Sequence, residues 1–236
     1  EDDNASHAEV AVFDAAAEAK FTQDDADDTY TYTVQETAGS ETGVTYDDTK
    51  YTVTITTADD GQGGIKVTTT VTDGANYNES YVYDNDDATE NQTAVVPFTN
   101  TYKATGELGG NGAVSIKATK TLTNRPMVDG EFTFNVTDAA DDSNTVVATG
   151  TNAADGTITF DAIGYSVDQM LEDVDNGLAT PSVVDGKDTF TYTYKVTEDT
   201  ANLDDGVSAI DAAGFQITVT VTDNGDGTLG IAVAYP

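Results

Sequence analysis

Lys120, Glu198, Glu36 and Asn100 each fall where the strand pattern expects an apolar side chain. In VSIKATKTL (114–122), Val114, Ile116, Ala118, Lys120 and Leu122 share one face of an extended chain, and Lys117 points to the other. In YTYKVTE (192–198), Tyr192, Tyr194, Val196 and Glu198 share a face, as do Tyr30, Tyr32, Val34 and Glu36 in YTYTVQE (30–36). Asn100 lies between Phe98 and Tyr102 in FTNTY (98–102). A lysine amine and an asparagine carboxamide, held together, can form an amide and release ammonia. The amine attacks only when neutral, and burial favours neutral amines. A carboxyl in an apolar pocket is held protonated, so it can polarise the asparagine carbonyl and relay protons. Folding supplies the effective molarity. Such a reaction turns over once and makes the protein no enzyme.

Each residue alone has a plainer reading. A lysine near a strand end snorkels to water. A glutamate at a strand terminus lies just past the core, and a half-buried asparagine hydrogen-bonds the backbone. Together the plain readings weaken, because a buried lysine needs an anion and glutamate supplies one.

The elements that must position these residues are strands. Alternating Thr, Tyr and Val runs recur at 29–34, 51–57, 132–136, 156–160, 190–196 and 215–222, bounded by Gly, Asn and Asp clusters. DDGQGG (59–64), ADG (154–156) and DNGDG (223–227) read as tight turns. One helix is expected over 166–174, where Ser166 precedes Gln169 in a capping pattern and Gly177 stops it. AEVAVFDAAAEAKF (8–21) reads as helix by its alanines or as strand by the alternation in AEVAVF.

The pattern occurs twice. YTYTVQE (30–36) matches YTYKVTE (192–198), GVTYD (43–47) matches GVSAID (206–211), and YTVTITTADDGQGGIKV (51–67) matches FQITVTVTDNGDGTLGI (215–231). The domains expected are 1–102 and 114–236, joined by a Gly-rich linker at 103–113.

Composition narrows the function classes. The 43 acidic residues against 9 basic ones give a net charge of -34, which excludes nucleic acid and anionic membranes as partners. No stretch has the length of a membrane span. There is no cysteine, so a life outside the cell requires a staple other than disulfides. The only histidine, His7, sits in an expected tail, which removes His-dependent triads and most zinc sites. No cofactor and no metal are implied; DNGDG lacks the spacing and distal glutamate of a calcium loop.

The chain resembles the Gram-positive pilin isopeptide-linkage domain, found in tandem in streptococcal backbone pilins and actinobacterial surface proteins. KTLTNRPMVDGEFTF (120–134), TNAADGTITF (151–160), YTYKVTE (192–198), ITVTVTDNGDGTL (217–229), YTYTVQE (30–36), GVTYD (43–47) and FTNTY (98–102) carry the resemblance. It implies two tandem immunoglobulin-like antiparallel β-sandwiches. It also implies a Lys–Asn bond between first and last strands, promoted by a Glu. By motif match, Lys120 takes the lysine role, Asn100 the asparagine role, and Glu36 and Glu198 the promoting role. The setting implied is an extracellular pilus or fibre on a Gram-positive cell wall. A second reading is an adhesin whose acidic loops hold calcium or a ligand on a host surface or matrix.

The two copies depart from the pattern in opposite ways. The first has no lysine at the motif position: Lys66 alternates away from Ile65 and Val67, and Lys20 and Lys50 match nothing. The second has no FxNxY. The expected partners are therefore neighbouring domains of a tandem array, or neighbouring subunits of a homopolymer, that supply the missing strands.

Overall fold

The computed structural model describes residues 8–13 (backbone only), 21–84, 92–112, 114–201, 203–209 and 213–236. They fall into two compact units, Glu1–Tyr102 and Lys103–Pro236.

The first unit contains β1 (Ala8–Phe13), β2 (Thr29–Gln35), β3 (Val44–Thr45), β4 (Lys50–Asp59), β5 (Ile65–Thr72), β6 (Asn78–Asp84), β7 (Ala94–Thr99) and β8 (Thr101–Tyr102). The antiparallel sheet β2-β4-β5-β6 is accompanied by the pairs β1-β7 and β3-β8. Alternate residues of β4 and β5 face inward, apolar except for Thr57 and Thr69, so one face of each strand is buried. Val53, Ile55, Val67 and Val71 from the sheet meet Val96 and Phe98 from β7. The Tyr51 ring sets its edge against Phe98 at 5.4 Å and Tyr77 at 5.6 Å. Tyr77 donates its hydroxyl to the carbonyl of Val95 at 3.2 Å, tying β7 down. The AEVAVF segment is a strand; the rest of 8–21 up to residue 20 lies outside the described residues, as does His7.

The second unit contains β9 (Thr105–Leu108), β10 (Ala118–Thr119), β11 (Thr133–Asp138), β12 (Val146–Asn152), β13 (Thr157–Phe160), β14 (Ile163–Ser166), helix α1 (Val167–Asp175), β15 (Thr180–Val184), β16 (Lys187–Glu198), β17 (Phe215–Asp223) and β18 (Leu229–Ala234). The sheet runs β10-β13-β12-β11-β16-β17-β18. The long strand β16 organises it. One edge pairs with β17; the other pairs first with β15 and then with β11. Phe134, Val136, Tyr192, Tyr194, Val196, Ile217 and Val219 fill the core. Ser166 caps α1 by accepting from the Gln169 amide at 3.3 Å, and α1 buries Met170 over the sheet.

Two expectations change. Residues 103–113, expected as a linker, hold a strand: β9 pairs antiparallel with β14, Leu108 opposite Ile163. Ala104, Gly106 and Leu108 alternate with polar residues, and Ala104 and Leu108 are each 1% exposed. The glycines that follow masked this short period. Tyr32, expected on the inner face with Tyr30 and Val34, is 50% exposed, while its counterpart Tyr194 is 3% exposed. Among the described residues β2 is an edge strand paired only with β4, whereas β16 is paired on both edges and Tyr194 is covered by Tyr165.

Candidate functional site

In the second unit the lysine and the glutamate meet. Lys120 follows β10 directly and Glu198 ends β16. Lys120 Nζ donates to Glu198 Oε1 at 2.6 Å and to Oε2 at 2.8 Å. The side chains are 15% and 8% exposed, so the pair is largely removed from water. The ammonium also stands 4.5 Å from the centroid of the Phe132 ring, a cation–π contact. The alternation read from the sequence holds: positions 114, 116, 118, 120 and 122 are shielded and 115, 117, 119, 121 and 123 are exposed.

The backbone of Lys120 is pinned from behind. Its N–H donates to the Gly156 carbonyl at 2.7 Å. Gly156 has φ +92°, and a Cβ there would lie 2.4 Å from the Lys120 carbonyl oxygen. Only glycine allows this close approach. Asn152 fixes the Phe132 side of the pocket. Its Oδ1 accepts from the Phe132 amide at 2.7 Å, and its Nδ2 donates to the carbonyls of Val128 at 2.8 Å and Ala153 at 3.1 Å. A cavity of about 370 Å³ opens beside Lys120 and Glu198, with apolar walls from Ala118, Phe134, Ile158, Val196 and Phe215.

In the first unit the asparagine and the glutamate meet. Asn100 lies between β7 and β8, and Glu36 follows β2. Asn100 Nδ2 donates to Glu36 Oε1 at 2.8 Å, and Asn100 Oδ1 accepts from the Asp47 amide at 2.8 Å. The second oxygen, Glu36 Oε2, is buried and has no hydrogen-bond partner among the described residues. Asp47 is brought here by the β3-β8 ladder, Val44 opposite Tyr102. Its carboxylate accepts from the amides of Thr99 at 2.8 Å and Thr49 at 2.9 Å. The Thr49 side chain foremost, then the amides of Thr99 and Thr49, hold the Asp47 carboxyl below its ordinary pKa.

All four residues singled out in the sequence thus take a place in one of two polar clusters, Lys120 with Glu198 and Asn100 with Glu36. Phe132, Asn152, Gly156 and Asp47 join them without having been singled out. All four lie inside the motifs noted above or at their turns, but their roles depend on contacts across long stretches of chain. The turn DNGDG closes the β17–β18 hairpin: Gly225 donates to Asp223 Oδ1 at 2.8 Å and Thr228 to Asp226 Oδ1 at 3.1 Å. One oxygen of each of these two carboxylates accepts from a backbone amide.

A family model described as FctA, the Spy0128-like isopeptide containing domain, matches residues 1–103 and again 116–236. The chain belongs to this family. No curated protein and no solved structure matches it. The FctA-type match makes the two units tandem immunoglobulin-like domains of a pilin-like, isopeptide-containing structural kind. Surface pilins are the proteins of this family, and it implies polymeric or tandem assembly. Among the described residues no helix is long and apolar enough to cross a membrane.

Proposed function

We propose that the chain is a stalk segment of an extracellular fibre on a Gram-positive cell wall, stiffened by autocatalytic Lys–Asn cross-links that its buried glutamates promote. One observation carries this reading: the two equivalent glutamates present complementary halves of one constellation. Glu36 gives Oε1 to the carboxamide nitrogen of Asn100 and buries Oε2 with no hydrogen-bond partner among the described residues. Glu198 gives both oxygens to the amine of Lys120. A glutamate between an amine and a carboxamide can serve both.

The chemistry follows from that placement. The reaction begins when the lysine Nζ passes one proton to the glutamate carboxylate that it contacts, giving a neutral amine and a glutamic acid. The amine lone pair attacks Cγ of asparagine, and negative charge gathers on Oδ1. The glutamic acid delivers its proton to Nδ2. The Cγ–Nδ2 bond breaks and ammonia leaves. The proton released by the new Cγ–Nζ linkage restores the acid. One carbon–nitrogen bond forms, one breaks, and no oxidant is consumed. Lys120 awaits an asparagine-bearing strand, and Asn100 a lysine-bearing one, each from a neighbouring domain or subunit.

The test appends a copy of residues 92–104 (QTAVVPFTNTYKA) after Pro236. The extended chain is expected to weigh one ammonia less than its sequence, with Lys120 joined to the added asparagine in the peptide map. Glu198→Gln and Lys120→Arg are expected to restore the full mass. A full mass in the unsubstituted extended chain overturns the reading.

A further inference from the structure

We propose that the backbone N–H of Asp47 is the oxyanion donor of this cross-linking reaction, and that the Asp47 carboxylate is the positioning group that aims it. The inference rests on the cross-link reading of Asn100. As an amine adds to Cγ, the carbonyl π electrons move to Oδ1. A donor already directed at that atom stabilises the charge without reorganising. Asp47 N–H is such a donor, 2.8 Å from Oδ1. With Oδ1 turned to Asp47, Nδ2 is turned to Glu36. The leaving nitrogen therefore faces the group that protonates it, and the charged oxygen faces the group that stabilises it.

Asp47 grips the electrophile at two points. Its carboxylate accepts from Thr99 N–H, the residue next to Asn100, at 2.8 Å, while its own amide binds the Asn100 side chain. The other carboxylate oxygen accepts from Thr49 N–H at 2.9 Å, closing a turn that fixes the side chain and the direction of the Asp47 amide. Three hydrogen bonds thus set the distance between one N–H and one carbonyl oxygen. In the second copy Asp211 stands four residues before Phe215, as Asp47 stands four before Tyr51; Asp211 lies outside the described residues. The donor moves no proton and changes no redox state.

The experiment places a copy of residues 114–156 ahead of Glu1, so that a lysine strand is available to the first unit. The extended chain is refolded from urea, and ammonia loss at Asn100 is followed by mass spectrometry once circular dichroism shows folding to be complete. Asp47→Ala keeps the backbone N–H but frees it, and is expected to slow bond formation roughly tenfold or more. Asp47→Asn retains an acceptor oxygen and is expected to recover part of the rate. A structural role alone would lower the unfolding midpoint and leave the rate of the folded population unchanged. Glu36→Gln is expected to abolish the bond. If Asp47→Ala and Asp47→Asn both react at the unsubstituted rate while Glu36→Gln does not react, the oxyanion assignment fails and the cross-link reading stands. If the unsubstituted extended chain forms no bond, both fail.

Discussion

Removing one member of the Lys120–Glu198 pair should cost far more than removing both. The two hydrogen bonds of 2.6 and 2.8 Å and side-chain exposures of 15% and 8% place two opposite charges in contact with little water. At an effective dielectric of about 20, contact at this range is worth about 4–6 kcal/mol of attraction before solvation is counted. The desolvation of both ions offsets most of it, so the pair gains little over an apolar replacement. Glu198→Ala leaves the ammonium against the Phe132 ring with no anion, and is expected to destabilise the second unit by about 3–5 kcal/mol. Lys120→Met leaves a shielded carboxylate and should cost a similar amount. The double variant should lose no more than about 1–2 kcal/mol, giving a coupling of several kcal/mol. Urea unfolding of the full chain measures these values, with hydrogen exchange at the amides of β11 and β16 reporting on this unit. If Glu198→Ala costs under about 1 kcal/mol, or the two single losses simply add, the pair is not the desolvated, coupled contact that its geometry requires.

Gly156→Ala would place Cβ 2.4 Å from the Lys120 carbonyl oxygen at φ +92°, and is expected to cost about 2–4 kcal/mol by urea unfolding; Gly186→Ala, with φ +77° and nothing within 4 Å, should show only the conformational part, about 1 kcal/mol. Equal losses at the two sites would remove Gly156 from the positioning of Lys120. Acid stability should turn over. Asp25, Asp47, Asp73, Asp141, Asp155 and Asp226 are held below the ordinary carboxylate pKa by amide and hydroxyl donors. Their stabilisation is complete above about pH 4 and is lost as pH falls further, where the unfolded chain binds more protons. Asp138, raised by burial, works in the opposite direction. Relief of repulsion at net charge -34 should raise the melting temperature between pH 7 and about 5, before it falls below about 4; a continued rise to pH 2.5 would contradict the role given to these carboxylates.

The strands were legible where burial imposed a period. In β4 and β16, tyrosine, valine and isoleucine alternate with threonine because one face is buried along the strand. β15 carries no such mark: all five residues of TPSVV are exposed, so nothing forces alternation. β9 was hidden because its inward residues are Gly106 and Leu108, and the glycine reads as linker. Lys120 could be told from Lys117 because the alternation persists from Val114 to Leu122, although only Ala118 and Thr119 form the ladder. Asp47 could not be read as a partner of Asn100. Fifty-three residues separate them, and the contact runs through a backbone amide that every residue type possesses. Phe132 looked like a core strand residue, and its second contact with the ammonium follows only from how the 114–122 segment lies across it.

The glutamates suggest why a covalent link suits this chain. With a net charge of -34 the folded state works against its own repulsion, and without cysteine no disulfide can constrain the unfolded chain. Threonine fills many of the outward positions of β2, β4, β5, β16 and β17 and contributes little burial per residue. An amide between first and last strands would carry tension past these ladders and survive reduction. It needs no enzyme if the fold alone holds amine, carboxamide and acid in register. The proposed cross-link would also account for the polar contacts at Lys120 and Asn100. Lys120 is fixed by a backbone bond, an ion pair and an aromatic face, and Asn100 by an acid on one side and an amide on the other. A core residue needs only volume; a reacting residue needs direction.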